Sequence, residues 1–173
     1  MELESFWGKV TESNLRQGDY LTSCPIPVFS EVPRKNLALE IQIGFANLIV
    51  VTQSCDLENG KNELVALCPI YSLAEFEEAN PKAAQKGFWE QVRRAKIEGF
   101  YLLSSFENPE NNRECLVVDF REIYSLPFEF LTKHAESLET RWRLSSPYLE
   151  HFSQAFARFF MRVGLPSNIP PFK

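Results

Sequence analysis

The chain has 173 residues, of which 45% are apolar and 24% charged, and a net charge of −5, the make-up of one ordinary globular domain. Its 15 Phe, 5 Tyr and 3 Trp are enough to build a core that requires no disulfide or metal, at about 200 Å² of buried surface each. No apolar run approaches the roughly 20 residues of a membrane span, and the acidic balance excludes a general nucleic-acid coat, which depends on many phosphate contacts.

The opening Met1-Glu2-Leu3-Glu4 lacks the basic and apolar regions of a signal peptide. Cysteines stand at 24, 55, 68 and 115 with no CxxC pair, so reduced thiols in a cytoplasm are expected. No repeat, linker or low-complexity segment divides the chain, and it reads as a single domain over 1–173.

In chain order, Ser13 to Gly18 reads as a turn and Asp19-Tyr20-Leu21-Thr22-Ser23 as a short strand ended by Cys24-Pro25-Ile26-Pro27. Prolines at 25, 27 and 33 suit an edge or an extended loop. Leu37 to Ile43 alternates apolar and polar residues, which predicts a half-buried strand ended by Gly44. Leu48-Ile49-Val50-Val51-Thr52 is apolar on both faces and β-branched, which predicts a central strand. Asn59-Gly60 is a hairpin signal, with Glu63 to Cys68 as the return strand, so residues 37–70 read as an antiparallel meander.

The period then changes. Ser72 and Glu75 form a capping box, with Tyr71 stapled to Phe76. Asn80-Pro81 starts a second helix that carries Ala84, Phe88, Val92 and Ala95 inward and ends near Gly99. Tyr101–Ser105 and Cys115–Phe120 flank a second hairpin turn at residues 108–112, Glu122–Leu126 continues the sheet, and Thr140–Leu144 is a further strand. In the last helix Ser146 caps and Pro147 opens, Leu149, Phe152, Phe156, Phe159, Phe160 and Val163 recur at helical spacing, and Gly164 and Pro166 stop it. The fold class expected is α+β: an antiparallel curved sheet, or a small SH3-like barrel, with the long C-terminal helix packed on it.

Among 23 acids only 3 are Asp, and Asp56 follows the central strand within Thr52-Gln53-Ser54-Cys55-Asp56. A thiol, a carboxylate and hydroxyls at a strand-to-loop junction are candidates for a nucleophile with polar support or for a metal site. Against them stand a buried Cys55 and an Asx turn closed by Asp56. Only His134 and His151 could serve as base partners. Zinc would need Cys24, Cys55 and Cys68 to converge, and Cys24-Pro25-Ile26 repeats as Cys68-Pro69-Ile70, yet paired ligand spacing is missing, so no metal and no cofactor are expected. Two basic patches are candidates for nucleic-acid contact: Lys82, Lys86, Arg93, Arg94 and Lys96, and Arg141-Trp142-Arg143 with Arg158 and Arg162.

Gly18-Asp19-Tyr20, the Cys24-Pro25-Ile26-Pro27 loop, Leu48 to Thr52 and Val65-Ala66-Leu67-Cys68-Pro69-Ile70 together resemble the PemK/MazF type of SH3-like barrel over residues 17–72. That resemblance implies a bacterial RNA-cleaving toxin. It departs in lacking an Arg-Pro-Ala-type segment before the central strand, where Arg34 is the arginine upstream, and the hydroxyl expected after Pro-Ile maps to Ser72. The strand followed by Ser-Cys-Asp-Leu, with the ending Phe159 to Pro166, also resembles uncharacterised bacterial proteins of similar size, which implies a bacterial intracellular origin. The function expected is a non-catalytic binding or regulatory module with a protein or RNA partner and no membrane. The rivals are an RNA-binding or RNA-cleaving barrel, and a thiol- or metal-dependent site at Cys55 and Asp56.

Overall fold

A computed structural model describes residues 5–29, 41–59, 62–106 and 112–161. The strands are β1 (Trp7–Val10), β2 (Asp19–Phe29), β3 (Ile41–Val50), β4 (Leu64–Ser72), β5 (Phe100–Leu103), β6 (Leu116–Asp119), β7 (Tyr124–Pro127) and β8 (Arg141–Leu144). The helices are α1 (Ser54–Glu58), α2 (Leu73–Ala79), α3 (Phe88–Arg93), α4 (Phe128–Ser137) and α5 (Tyr148–Phe160). Every strand pairing is antiparallel, in the order β1-β8-β2-β3-β4-β6-β5, with β7 also on β4. The sheet is open, so of the two expected forms the sheet with the C-terminal helix on it is the one present, and the closed barrel is not.

The doubly apolar run from Leu48 places the sheet between two cores. Leu48 and Val50 join Leu21, Cys24, Val65 and Leu67 on one face, beneath Leu131 and Ala135 of α4. Ile49 joins Trp7, Cys68, Ile70, Val118 and Phe120 on the other, beneath Phe152 of α5. A bulge between Leu21 and Cys24 shifts the β2 register. Ser23 takes a positive φ of 47° there, and its N–H donates to Asn47 Oδ1 at 2.9 Å. The shift keeps Leu21, Cys24 and Ile26 in the same core.

Several expected boundaries move. Gly44 does not end a strand; it lies within β3 opposite Ile26, where a Cβ would come 2.6 Å from Val28 Cγ2. The tight Asn59-Gly60 hairpin is replaced by α1, and Asn59 Nδ2 closes that helix on Cys55 O at 2.6 Å; Gly60 lies outside the described residues. The capping box at Ser72 forms, with Glu75 N–H donating to Ser72 Oγ at 3.2 Å, and Tyr71 meets Phe76 with ring centroids 5.8 Å apart. The long helix after Pro81 is broken into a 3-10 turn (Pro81–Ala84) and α3, because Gly87 takes φ 87° between them. Ala83, not Ala84, is therefore buried, and Ala95 is exposed.

Helix α5 also differs in detail. Pro147 occupies the N-cap position, and Ser146 Oγ bonds Glu150 Oε1 at 3.0 Å rather than capping. Phe152 is fully buried and Leu149, Phe156 and Phe159 are half-buried. Phe160 is 53% exposed, since it lies off the stripe that faces the sheet. Val163, Gly164 and Pro166 lie outside the described residues, as do Pro33, Leu37 to Glu40 and the turn at 108–111.

Candidate functional site

The Ser54-Cys55-Asp56 segment forms the first turn of α1. The hydroxyls here each accept a backbone hydrogen bond from another segment: Gln17 N–H donates to Ser54 Oγ at 3.1 Å, and Ala66 N–H donates to Thr52 Oγ1 at 2.8 Å. Cys55 is exposed, with Sγ 3.7 Å from Gln53 Oε1 and 4.0 Å from Asp56 Oδ1. Asp56 sits at the third helical position, where a carboxylate complements the helix dipole. His134 is elsewhere, with Nε2 2.9 Å from Thr22 O.

The three cysteines considered for zinc are kept apart. Cys24 lies in the α4-side core, Cys68 in the α5-side core, and Cys55 on the surface. Burial pushes the Cys24 thiol up to about 11 and the Cys68 thiol up to about 12, which favours the neutral form of each in its apolar core. Among the described residues no three His, Cys, Asp or Glu side chains are grouped to hold a metal.

The Arg141-Trp142-Arg143 patch is structural rather than available to a ligand. Arg141 and Arg143 alternate on β8 onto one side, where both meet the fully buried Asp19 carboxylate. Arg141 Nε donates to Asp19 Oδ2 at 3.0 Å, and its Nη1 and Nη2 donate to Glu12 O and Asn14 O, each at 2.6 Å. Arg143 donates to both Asp19 oxygens and to Glu12. Arg16 N–H adds a third kind of donor to Asp19 at 2.9 Å. The Arg143 hydrogen bond and charge hold the Glu12 carboxyl below its usual value. Trp142 turns to the other side, stacked on Phe106 at 5.4 Å with Lys9 Nζ 4.8 Å from its ring. In the other patch, Arg93 and Arg94 both pair with Glu90, at 2.7 and 2.5 Å. Arg34 and Arg162 lie outside the described residues.

Arg158 is placed differently. It lies on α5 with His151 and Gln154, at three- and four-residue intervals that share one helix face, and all three line a cavity of about 560 Å³. The opposite wall comes from α3 and the segment after it, with Val92, Arg93 and Ile97, and Glu98 also lines the cavity. Phe100, Tyr101, Phe120 and Phe159 supply aromatic surface, and burial raises the Tyr101 hydroxyl above its ordinary value. Gly99 makes room: at φ 93° a Cβ there would lie 3.0 Å from Arg121 Cγ and 3.4 Å from Phe159 Cε2. Arg121 is held by Asp119 at 2.6 Å and rests over Phe100, 4.3 Å from the ring centroid. Among the described residues, the side chains of His151 and Arg158 have no hydrogen bond or ion pair.

Sequence reasoning selected Arg158 but not the cavity, because α3, the Gly99 turn and α5 meet only in three dimensions. It also passed over Asp19 and Asp119. The signal was present in the scarcity of Asp: two of the three aspartates are buried beneath arginines, where the shorter side chain lets the strand backbone hold the carboxylate close. No protein-family model and no curated protein matches the chain.

Proposed function

We propose that this chain is a non-catalytic binding module, and that its ligand occupies the cavity between α3 and α5. The observation that carries this reading is an open cavity of about 560 Å³ with aromatic walls beside Arg158, which has no partner among the described residues. The volume falls within the range of about 300–1,000 Å³ typical of small-molecule sites. Phe120, Tyr101 and Phe159 favour a flat apolar body. Arg158 favours an anionic group attached to it, with Gln154 and His151 available as hydrogen-bonding groups along the same helix face. A nucleotide has both features.

Titration calorimetry with AMP and with a six-nucleotide single-stranded RNA tests this. Binding that falls at least tenfold in Arg158→Ala, with the melting temperature unchanged, is the expected result; binding of both probes unaffected by that change overturns the cavity assignment. The RNA-acting reading draws on the same stacking surface beside an arginine. Cleavage of the RNA, lost in Arg34→Ala, would replace the non-catalytic reading with it.

A further inference from the structure

Ile49 is fully buried on the α5 side of the sheet, and the odd-numbered residues that precede it on β3 continue along that same face. Beyond Asn47 they are Phe45, Ile43 and Ile41, which are 69%, 66% and 59% exposed. Their partners across the ladder are Pro25, Pro27 and Phe29, and Phe29 is 62% exposed. One side of this ribbon is thus six apolar residues with no charge among them. The ribbon is also narrow among the described residues: β8 pairs β2 at Asp19 and Tyr20, and β4 pairs β3 from Leu48 to Val50. A two-stranded ribbon is marginal in water without another layer.

We propose that this face is a homodimer interface, with a second copy of the chain packed face to face on it across a two-fold axis. Area is the first argument. With full side-chain areas of about 150–250 Å² for Phe, and somewhat less for Ile and Pro, the face offers on the order of 600 Å² per chain. The pair would bury about 1,200 Å², the lower bound of a specific interface. Chemistry is the second argument: a face without charges matches itself, as apolar homodimer interfaces do, and presents nothing by which a different charged partner would be selected. The third argument concerns the edge. Pro25 and Pro27 have no N–H to give, which blunts the outer side of β2 against strand addition and leaves the face as the place for contact. The opposite side enters the core at Cys24 and Ile26, and farther out it carries the exposed Val28 and the polar Gln42.

Sedimentation equilibrium of the full chain from 1 to 100 μM tests the assignment. The wild type is expected at about 40 kDa, twice the 20.0 kDa of one chain. The double variant Ile43→Thr, Phe45→Thr keeps β-branched strand formers in place and is expected to remain monomeric throughout, a loss of at least 100-fold in association, with an unchanged circular dichroism spectrum. Should that variant not fold, Ile41→Thr alone, farther from the core, carries the same expectation with at least a tenfold loss. A wild type that is monomeric at 100 μM overturns the proposal, and would leave the face to another protein or to a segment of the same chain. A dimer that persists in a folded variant at Ile43 and Phe45 overturns it equally.

Discussion

The two halves of the β2–β3 hairpin differ in what lies above them, not in their alternation. At Leu48-Ile49-Val50 both faces meet a core, one beneath α4 and the other beneath α5. Four to eight residues earlier on the same strand, Phe45, Ile43 and Ile41 repeat the apolar period with exposed side chains. Periodicity tells which residues share a face. It does not tell whether that face is covered, because cover comes from an element far away in sequence, and α5 reaches Ile49 but not Phe45.

Substitutions at the covered base should therefore cost much more than those on the uncovered arm. The largest effect is expected for Asp19→Ala, which strands two arginines against each other in a buried site; a loss of about 3–5 kcal/mol in urea denaturation is expected, and a loss below about 1 would show that water replaces the carboxylate. Phe152→Ala, beneath α5, should cost about 3–5 kcal/mol. The half-buried Phe156→Ala should cost about 1–2, so equal losses at the two positions would erase the distinction between them. On the hairpin itself, Leu48→Ala should cost about 2–5 kcal/mol. Ile43→Thr, measured at a concentration where the chain is monomeric, should stay within about 0.5 kcal/mol.

The smallest effect is electrostatic and lies outside both halves. Arg113, at 2.7 Å, and the Trp89 indole, also at 2.7 Å, hold the Glu77 carboxyl down at about 2 against its ordinary 4.5. A lowered carboxyl contributes stability above the unfolded value and loses it as pH falls toward the folded one. Tryptophan emission should thus be steady above pH 5 and change between about 4.5 and 2, a change removed in Glu77→Gln. A transition unaltered by that substitution would assign it to another acid.

Much of this architecture is legible in the residues. The doubly apolar Leu48 to Val51 run, the Ser72 capping box and the Phe152 stripe each announce their element because local chemistry decides it. Where local chemistry was a poor guide, a distant contact or a backbone angle had decided instead. Gly44 reads as a strand end but gives way to the close approach of Val28. Gly87 reads as part of a helix, yet its positive φ divides one. Helix α4 starts at Pro127 with no side-chain cap, and buries only Leu131 and Ala135, too short a period to stand out. For the site, Arg158 was visible as a basic residue on a helix. The distinction between Arg158 and Arg141 was not, since it depends on Asp19, which lies 122 residues from Arg141.

That separation has a consequence for the order of folding. β2 precedes β8 in the chain, and the arginines that neutralise Asp19 lie 122 and 124 residues after it. Until they arrive, the carboxylate must stay hydrated, and the base of β2 cannot close against its neighbours without burying a bare charge. Contacts of such long range are slow to form. The electrostatic lock at Asp19 thus orders assembly: the Asp19–β8 side of the sheet is expected to set only once β8 is in place, whereas the β3–β4 pairing carries no such requirement.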